Sequence, residues 1–144
     1  MIARYSRAEM ARIWSDQSRF GAWLEVELAA TQVLAERGVV PPEALPAIRE
    51  KSRFDVARID EIEREVKHDV IAFVSNVAEN VGPEGRWLHY GLTSSDVVDT
   101  AQALLMVRAT DLIRDGLARL MAAVRRRAEE HRHTPIMGRT HGMH

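Results

Sequence analysis

From Ser95 to about Arg127 the chain keeps apolar residues at helical spacing, among them Val97, Val98, Ala101, Leu105, Leu112, Ile113, Leu117, Leu120, Met121 and Val124. No proline interrupts the run before Pro135. At a rise of about 1.5 Å per residue such a helix is roughly 50 Å long. A compact globule of 144 residues has a radius of gyration of only about 15 Å. The shorter segments that precede the helix cannot cover its whole apolar stripe. The rod is therefore expected to need partners: further helices of a bundle, from the same chain or from other subunits.

The residues before it also read as helices. Ser6-Arg7-Ala8-Glu9 has the spacing of a capping box and predicts a short helix ending near Trp14. Ser15 or Ser18 caps a second helix, with Phe20, Trp23, Leu24, Leu28 and Leu34 on one stripe and Gly38 as its stop. Pro41-Pro42 opens a third that runs to about Lys51. Asp55 caps a fourth, containing Val56, Ile59, Ile62 and Val66. A break is expected at 67–69, with Asp69 capping an apolar helix stopped by Gly82-Pro83. No hairpin signal and no repeat occurs. The expectation is an all-α chain with a small helical N-terminal domain (1–92), followed at 93–144 by the first long helix of a truncated central bundle.

Composition narrows the function. The formal net charge is −1, which gives no general attraction to nucleic acid or to an anionic membrane. No apolar run is long enough to span a bilayer, and the N-terminus lacks the apolar core of a signal peptide. With no cysteine there is no disulfide and no thiolate metal site, and a cytoplasmic protein is the plain reading. Lysine occurs only at 51 and 67 among 20 basic residues, so a compact ammonium beside His68 and Asp69 stands out in a chain that otherwise uses arginine.

Four clusters combine groups that hold anions or move protons: Arg4-Tyr5, Lys67-His68-Asp69, His89 with Thr93-Ser94, and Arg139-Thr140-His141. The third opens directly onto the long helix. The unpaired N–H groups of a helix's first turn and its dipole favour negative charge, and hydroxyls add hydrogen bonds. His141, ahead of Gly142, places an imidazole where backbone can approach a ligand closely, and imidazole suits proton transfer near neutral pH. Each cluster also has a plain structural reading: an exposed terminus, a solvated helix junction, or a helix cap at Thr93-Ser94-Ser95-Asp96. His131, His133, His141 and His144 offer a competing metal reading, but there is no cysteine and no His-Glu-x-x-His helix. Phosphate-binding and dinucleotide-binding glycine loops are absent, so no cofactor is expected.

Taken in order and spacing, Lys67-His68-Asp69-Val70, His89-Tyr90-Gly91-Leu92-Thr93-Ser94-Ser95-Asp96-Val97 and Met137-Gly138-Arg139-Thr140-His141-Gly142 closely resemble the adenylosuccinate lyases of the fumarase/aspartase superfamily. The Thr-Ser-Ser-Asp and Gly-Arg-Thr-His strings alone also fit relatives such as carboxymuconate cycloisomerase; Lys67-His68-Asp69 and Arg4-Tyr5 favour the purine enzyme. The resemblance implies β-elimination of fumarate from adenylosuccinate, giving AMP, and from succinyl-carboxamide ribotide in purine biosynthesis. It implies His141 as general acid, with His68 as a second catalytic residue that orients the reacting groups or His141. It further implies that Thr93 and Ser94 hold a succinyl carboxylate, that Arg4, Tyr5 and His89 address the phosphate end, and that Lys67, His68 and Asp69 line the pocket. The family's general base is a serine on a flexible downstream loop, and its site joins three subunits of a homotetramer. The present chain is thus expected to be an N-terminal fragment, inactive alone. The alternative is a non-catalytic helical interaction module derived from the same superfamily.

Overall fold

The computed structural model describes residues 2–143. Among these residues the regular structure is helical, with one isolated antiparallel bridge between Thr140 and Met143, so the all-α expectation holds. Six α-helices follow one another: α1 (Ala8–Ile13), α2 (Asp16–Glu36), α3 (Ala44–Lys51), α4 (Val56–Val66), α5 (Asp69–Val81) and α6 (Ser94–Glu130). Short 3₁₀ turns occupy Ala3–Tyr5 and Pro83–Trp87. No helix among the described residues is long and apolar enough to cross a membrane. By its contacts the chain divides into two units, Met1–Ala109 and Thr110–His144, with α6 passing from one into the other.

The helix ends show which local signals prevailed. Ser15 caps α2 by accepting the Ser18 N–H at 3.2 Å, and Asp55 caps α4 by accepting the Arg58 N–H at 2.8 Å. The Ser6 capping box does not form: Arg7 is the N-cap of α1 without a side-chain bond, while the Ser6 hydroxyl donates to the Ile2 carbonyl at 3.0 Å. α3 begins at Ala44 rather than at the prolines, which form the turn ahead of it. The break at 67–69 is present. Its cap is His68, not Asp69: the His68 imidazole Nδ1 accepts the Ile71 N–H at 3.4 Å, and Asp69 is the first helical residue. An extended backbone at His68 puts that ring over the first turn, a position already helical at Asp69.

The first unit is built around aromatic rings. Phe20 stacks on Phe73 at 5.7 Å, Trp23 meets both rings edge-on, and Phe54 closes the cluster from the segment before α4. Ile48, Ile59, Val70, Val77 and Val97 fill the space around them and are fully buried. Val97, Ala101 and Leu105, spaced four apart, are the residues by which α6 enters this core. In the second unit Ile113, Leu117, Leu120, Met121 and Val124 stay exposed, the uncovered stripe expected from the sequence.

Gly85 permits the Pro83–Trp87 turn to lie against α5. A Cβ there would meet the Cα and Cβ of Ala78 at 2.8 Å, whereas one at Gly21 inside α2 would meet nothing within 4 Å. Gly85→Ala is therefore expected to cost about 1–3 kcal/mol, and Gly21→Ala to gain up to about 1 kcal/mol. Denaturant unfolding of the two variants checks the opposite signs.

α4 and α5 are also clasped at the surface. Arg58 donates to Glu79 at 2.8 and 3.2 Å and to Glu61 at 3.1 Å. The hydrogen bonds from Arg58 hold the Glu79 carboxyl below the ordinary carboxylate range. A group with a lowered folded pKa stabilises the fold above its unfolded value and loses that contribution as pH falls through its folded value. Solvent screening keeps the effect small. The melting temperature should fall on acidification through the carboxylate range, and less steeply in Glu79→Gln.

Candidate functional site

Among the described residues, only three non-glycine residues have positive φ: Lys67 (54°), His89 (61°) and His141 (47°). Left-handed backbone is uncommon for such residues and costs free energy that the surrounding structure must hold in place. Each of the three lies in one of the clusters picked out by chemistry.

Lys67 is the left-handed C-cap of α4, its N–H bonded to the Glu63 carbonyl at 2.8 Å. The reversal it makes brings His68 and Asp69 onto the start of α5, with all three side chains exposed. Because His68 Nδ1 accepts the Ile71 N–H, the hydrogen-bond network assigns its proton to Nε2, leaving that N–H free as a donor. Asp69 Oδ1 lies 3.5 Å from the same Nδ1 and accepts the Val70 N–H at 2.8 Å. Arg4 lies over the Tyr5 ring at 4.7 Å, with both residues exposed.

His89 opens a turn closed by the Leu92 N–H on the His89 carbonyl at 3.3 Å, with Gly91 also at positive φ. α6 follows at Ser94. Asp96 Oδ2 reaches back to the Thr93 N–H at 2.8 Å, which closes one half of a capping box. Among the described residues the Thr93 and Ser94 hydroxyls are engaged in no hydrogen bond and remain available at the helix start.

The sequence reading missed Glu27. It sits in mid-α2, 1% exposed, and meets His89 twice: Oε2 accepts the backbone N–H at 2.8 Å and Oε1 lies 2.6 Å from ring Nδ1. The signal was present. Phe20, Trp23, Glu27 and Thr31 share the buried face of one helix, and a carboxylate on that face requires a partner.

In the second unit, Thr140 and Met143 exchange backbone bonds at 3.1 and 2.8 Å around His141 and Gly142. Positive φ at both central residues is the pattern of a type I′ turn, in which glycine suits the second place. The turn presents the exposed His141 at its tip. No group of three or more metal-ligating side chains converges among the described residues; His144, part of the metal alternative, lies outside them.

An apolar groove of about 740 Å³ runs between α2 and the start of α6, lined by Val26, Ala30, Val33, Tyr90, Leu92 and Leu104. Its lining includes the acid Glu25 and no cation, so it does not suit a ligand bearing carboxylates and phosphate.

A family model described as Lyase matches residues 3–144. The chain belongs to that family. Over all 144 residues it is 51% identical to the adenylosuccinate lyase of Bacillus subtilis (strain 168) and 50% identical to that of Streptococcus mutans, covering 33% of each. It also resembles the crystal structure of a fumarate lyase from Mesorhizobium sp. BNC1. The TM-score is 0.76 at 30% identity, over 97% of this chain and 34% of that one. The lyase chain thus spans about a third of the length of the curated relatives it matches.

The cap at His68 can be separated from any role in a pocket. His68→Ala should cost about 0.5–1 kcal/mol, the lower part of the capping range because the bond is long, and His68→Asn should recover most of it. Thermal unfolding measures this. An asparagine that restored neither stability nor α5 helicity would remove the cap assignment.

Proposed function

We propose that the chain supplies the N-terminal third of an adenylosuccinate lyase, which eliminates fumarate from adenylosuccinate to leave AMP and treats succinyl-carboxamide ribotide likewise in purine biosynthesis. The observation that carries this reading is half-identity to adenylosuccinate lyases across every residue of the chain. Positive φ at Lys67, His89 and His141 supports it, because strained backbone is retained where side chains must be aimed.

In the elimination a base takes the proton from the carbon beside a succinyl carboxylate, the C–N bond breaks, and its electron pair goes to nitrogen. Nitrogen leaves readily only when protonated, which is the role assigned to His141. Charge spreading onto the carboxylate is met by the N–H groups at the start of α6 with the Thr93 and Ser94 hydroxyls. Lys67, His68 and Asp69 line the pocket, with His68 Nε2–H as the donor that orients reacting groups. Arg4, Tyr5 and His89 address the phosphate. The base is assigned to a serine loop of the full-length protein outside this chain, so the chain alone is inactive. Residues 1–92 act as the N-terminal lyase domain and 93–144 as the start of a bundle. The exposed stripe Ile113, Leu117, Leu120, Met121 and Val124 supports burial of that bundle in a cytoplasmic homotetramer.

The full-length protein is expected to release fumarate from adenylosuccinate. His141→Ala in it should lower kcat by about 10²–10⁴ with an unchanged melting profile. Turnover of that variant at the wild-type rate, followed by ultraviolet absorbance, would refute the general-acid role.

A further inference from the structure

We infer that Glu27 is a positioning residue that fixes the rotation and proton placement of His89, leaving Nε2 as the ring atom that meets an anionic ligand. The ligand half of this inference rests on the lyase reading above; the Glu27–His89 half does not.

The geometry is specific. Oε2 of Glu27 accepts the His89 backbone N–H at 2.8 Å, and Oε1 lies 2.6 Å from ring Nδ1. A carboxylate has no proton to give, so a contact of this length places the proton on Nδ1. The side chain of Glu27 is 1% exposed and that of His89 15%, so the carboxylate has no water to turn to. The two bonds seize the residue by backbone and ring together, at a backbone position of positive φ that a histidine does not adopt for its own sake. With Nδ1 committed inward, Nε2 faces the ligand. A phosphate monoester offers only acceptors there once ionised, so Nε2 must also carry a proton and the ring must be an imidazolium. The carboxylate behind it balances that charge, and the hydrogen bond to phosphate is charge-assisted.

Counting donors gives the test. Glutamine at 27 keeps one oxygen, which accepts the His89 N–H, and an amide NH₂, which then faces Nδ1. Both are satisfied only if Nδ1 loses its proton. Glu27→Gln therefore removes the Nδ1 proton, and the positive charge with it, leaving a single proton on Nε2 and the side-chain volume unchanged. In the full-length protein, KM for adenylosuccinate should rise on the order of tenfold to a hundredfold, with kcat changed by less than about threefold because the phosphate is remote from the bond that breaks. In a His89→Gln background the same change at 27 should add nothing further.

Histidine-selective ¹⁵N solid-state spectra of the full-length protein, with the His89 signal identified by its loss in His89→Gln, should show a protonated Nδ1 in the wild type. In Glu27→Gln they should show protonated Nε2 with bare Nδ1. A wild-type His89 with bare Nδ1 overturns the inference even if the glutamine variant does not fold, as does an undiminished KM effect of Glu27→Gln without His89. Should the protein not act on adenylosuccinate, the KM arm fails with the lyase reading, and the nitrogen spectra still decide the pairing.

Discussion

The first unit is organised by one packing requirement: α2 must bury a single face carrying Phe20 and Trp23, and the partner surface is the Phe73 face of α5. Rings of this size bury about 150–250 Å² each, more than other contacts in a small helical domain. The elements that carry functional side chains attach to helices ordered by that contact. The reversal at Lys67–Asp69 exists because α4 and α5 pack antiparallel beside it. The Pro83–Trp87 turn can lie on α5 because Gly85 has no side chain to hold it off. α6 enters through Val97, Ala101 and Leu105, which fixes where its first turn begins.

The same face of α2 explains how the core reaches the chemistry. Glu27 is one turn beyond Trp23 and is enclosed like its apolar neighbours, yet it is an acid. Burial obliges it to find donors, and the donors available belong to His89. A packing helix thereby sets the conformation of a loop residue 62 positions away in sequence. Loops carry function because a rigid scaffold aims them; here the aiming is done by a buried carboxylate on the same helix face as Phe20 and Trp23. His68 is aimed differently, by its own cap bond to the next helix. The two histidines consequently use Nδ1 in opposite ways: His68 Nδ1 accepts the Ile71 N–H, whereas His89 Nδ1 faces the Glu27 carboxylate.

Much of this was legible beforehand. The number and order of helices, the caps at Ser15 and Asp55, the break at 67–69 and the long final helix all follow from local spacing, and local spacing is what capping and amphipathicity act through. Where two residues competed for one local role, the sequence was a poorer guide. Ser6 had the spacing of a cap and spent its hydroxyl on the Ile2 carbonyl, and Asp69 had the chemistry of a cap but lay one residue inside the helix that His68 begins. Glu27 carries no local sign of its partner, because the donors that meet it lie 62 residues away in sequence.

The sequence by itself determined that the chain is helical, that its last helix carries more apolar surface than the preceding segments can cover, and which short strings resemble a lyase. These are properties of residues at fixed, short separations. Only the tertiary structure decided that Lys67, His89 and His141 adopt left-handed backbone, and that Glu27 is the partner of His89. Those facts depend on which surfaces meet once the aromatic face of α2 is buried, and no local pattern encodes a meeting between residues 62 apart.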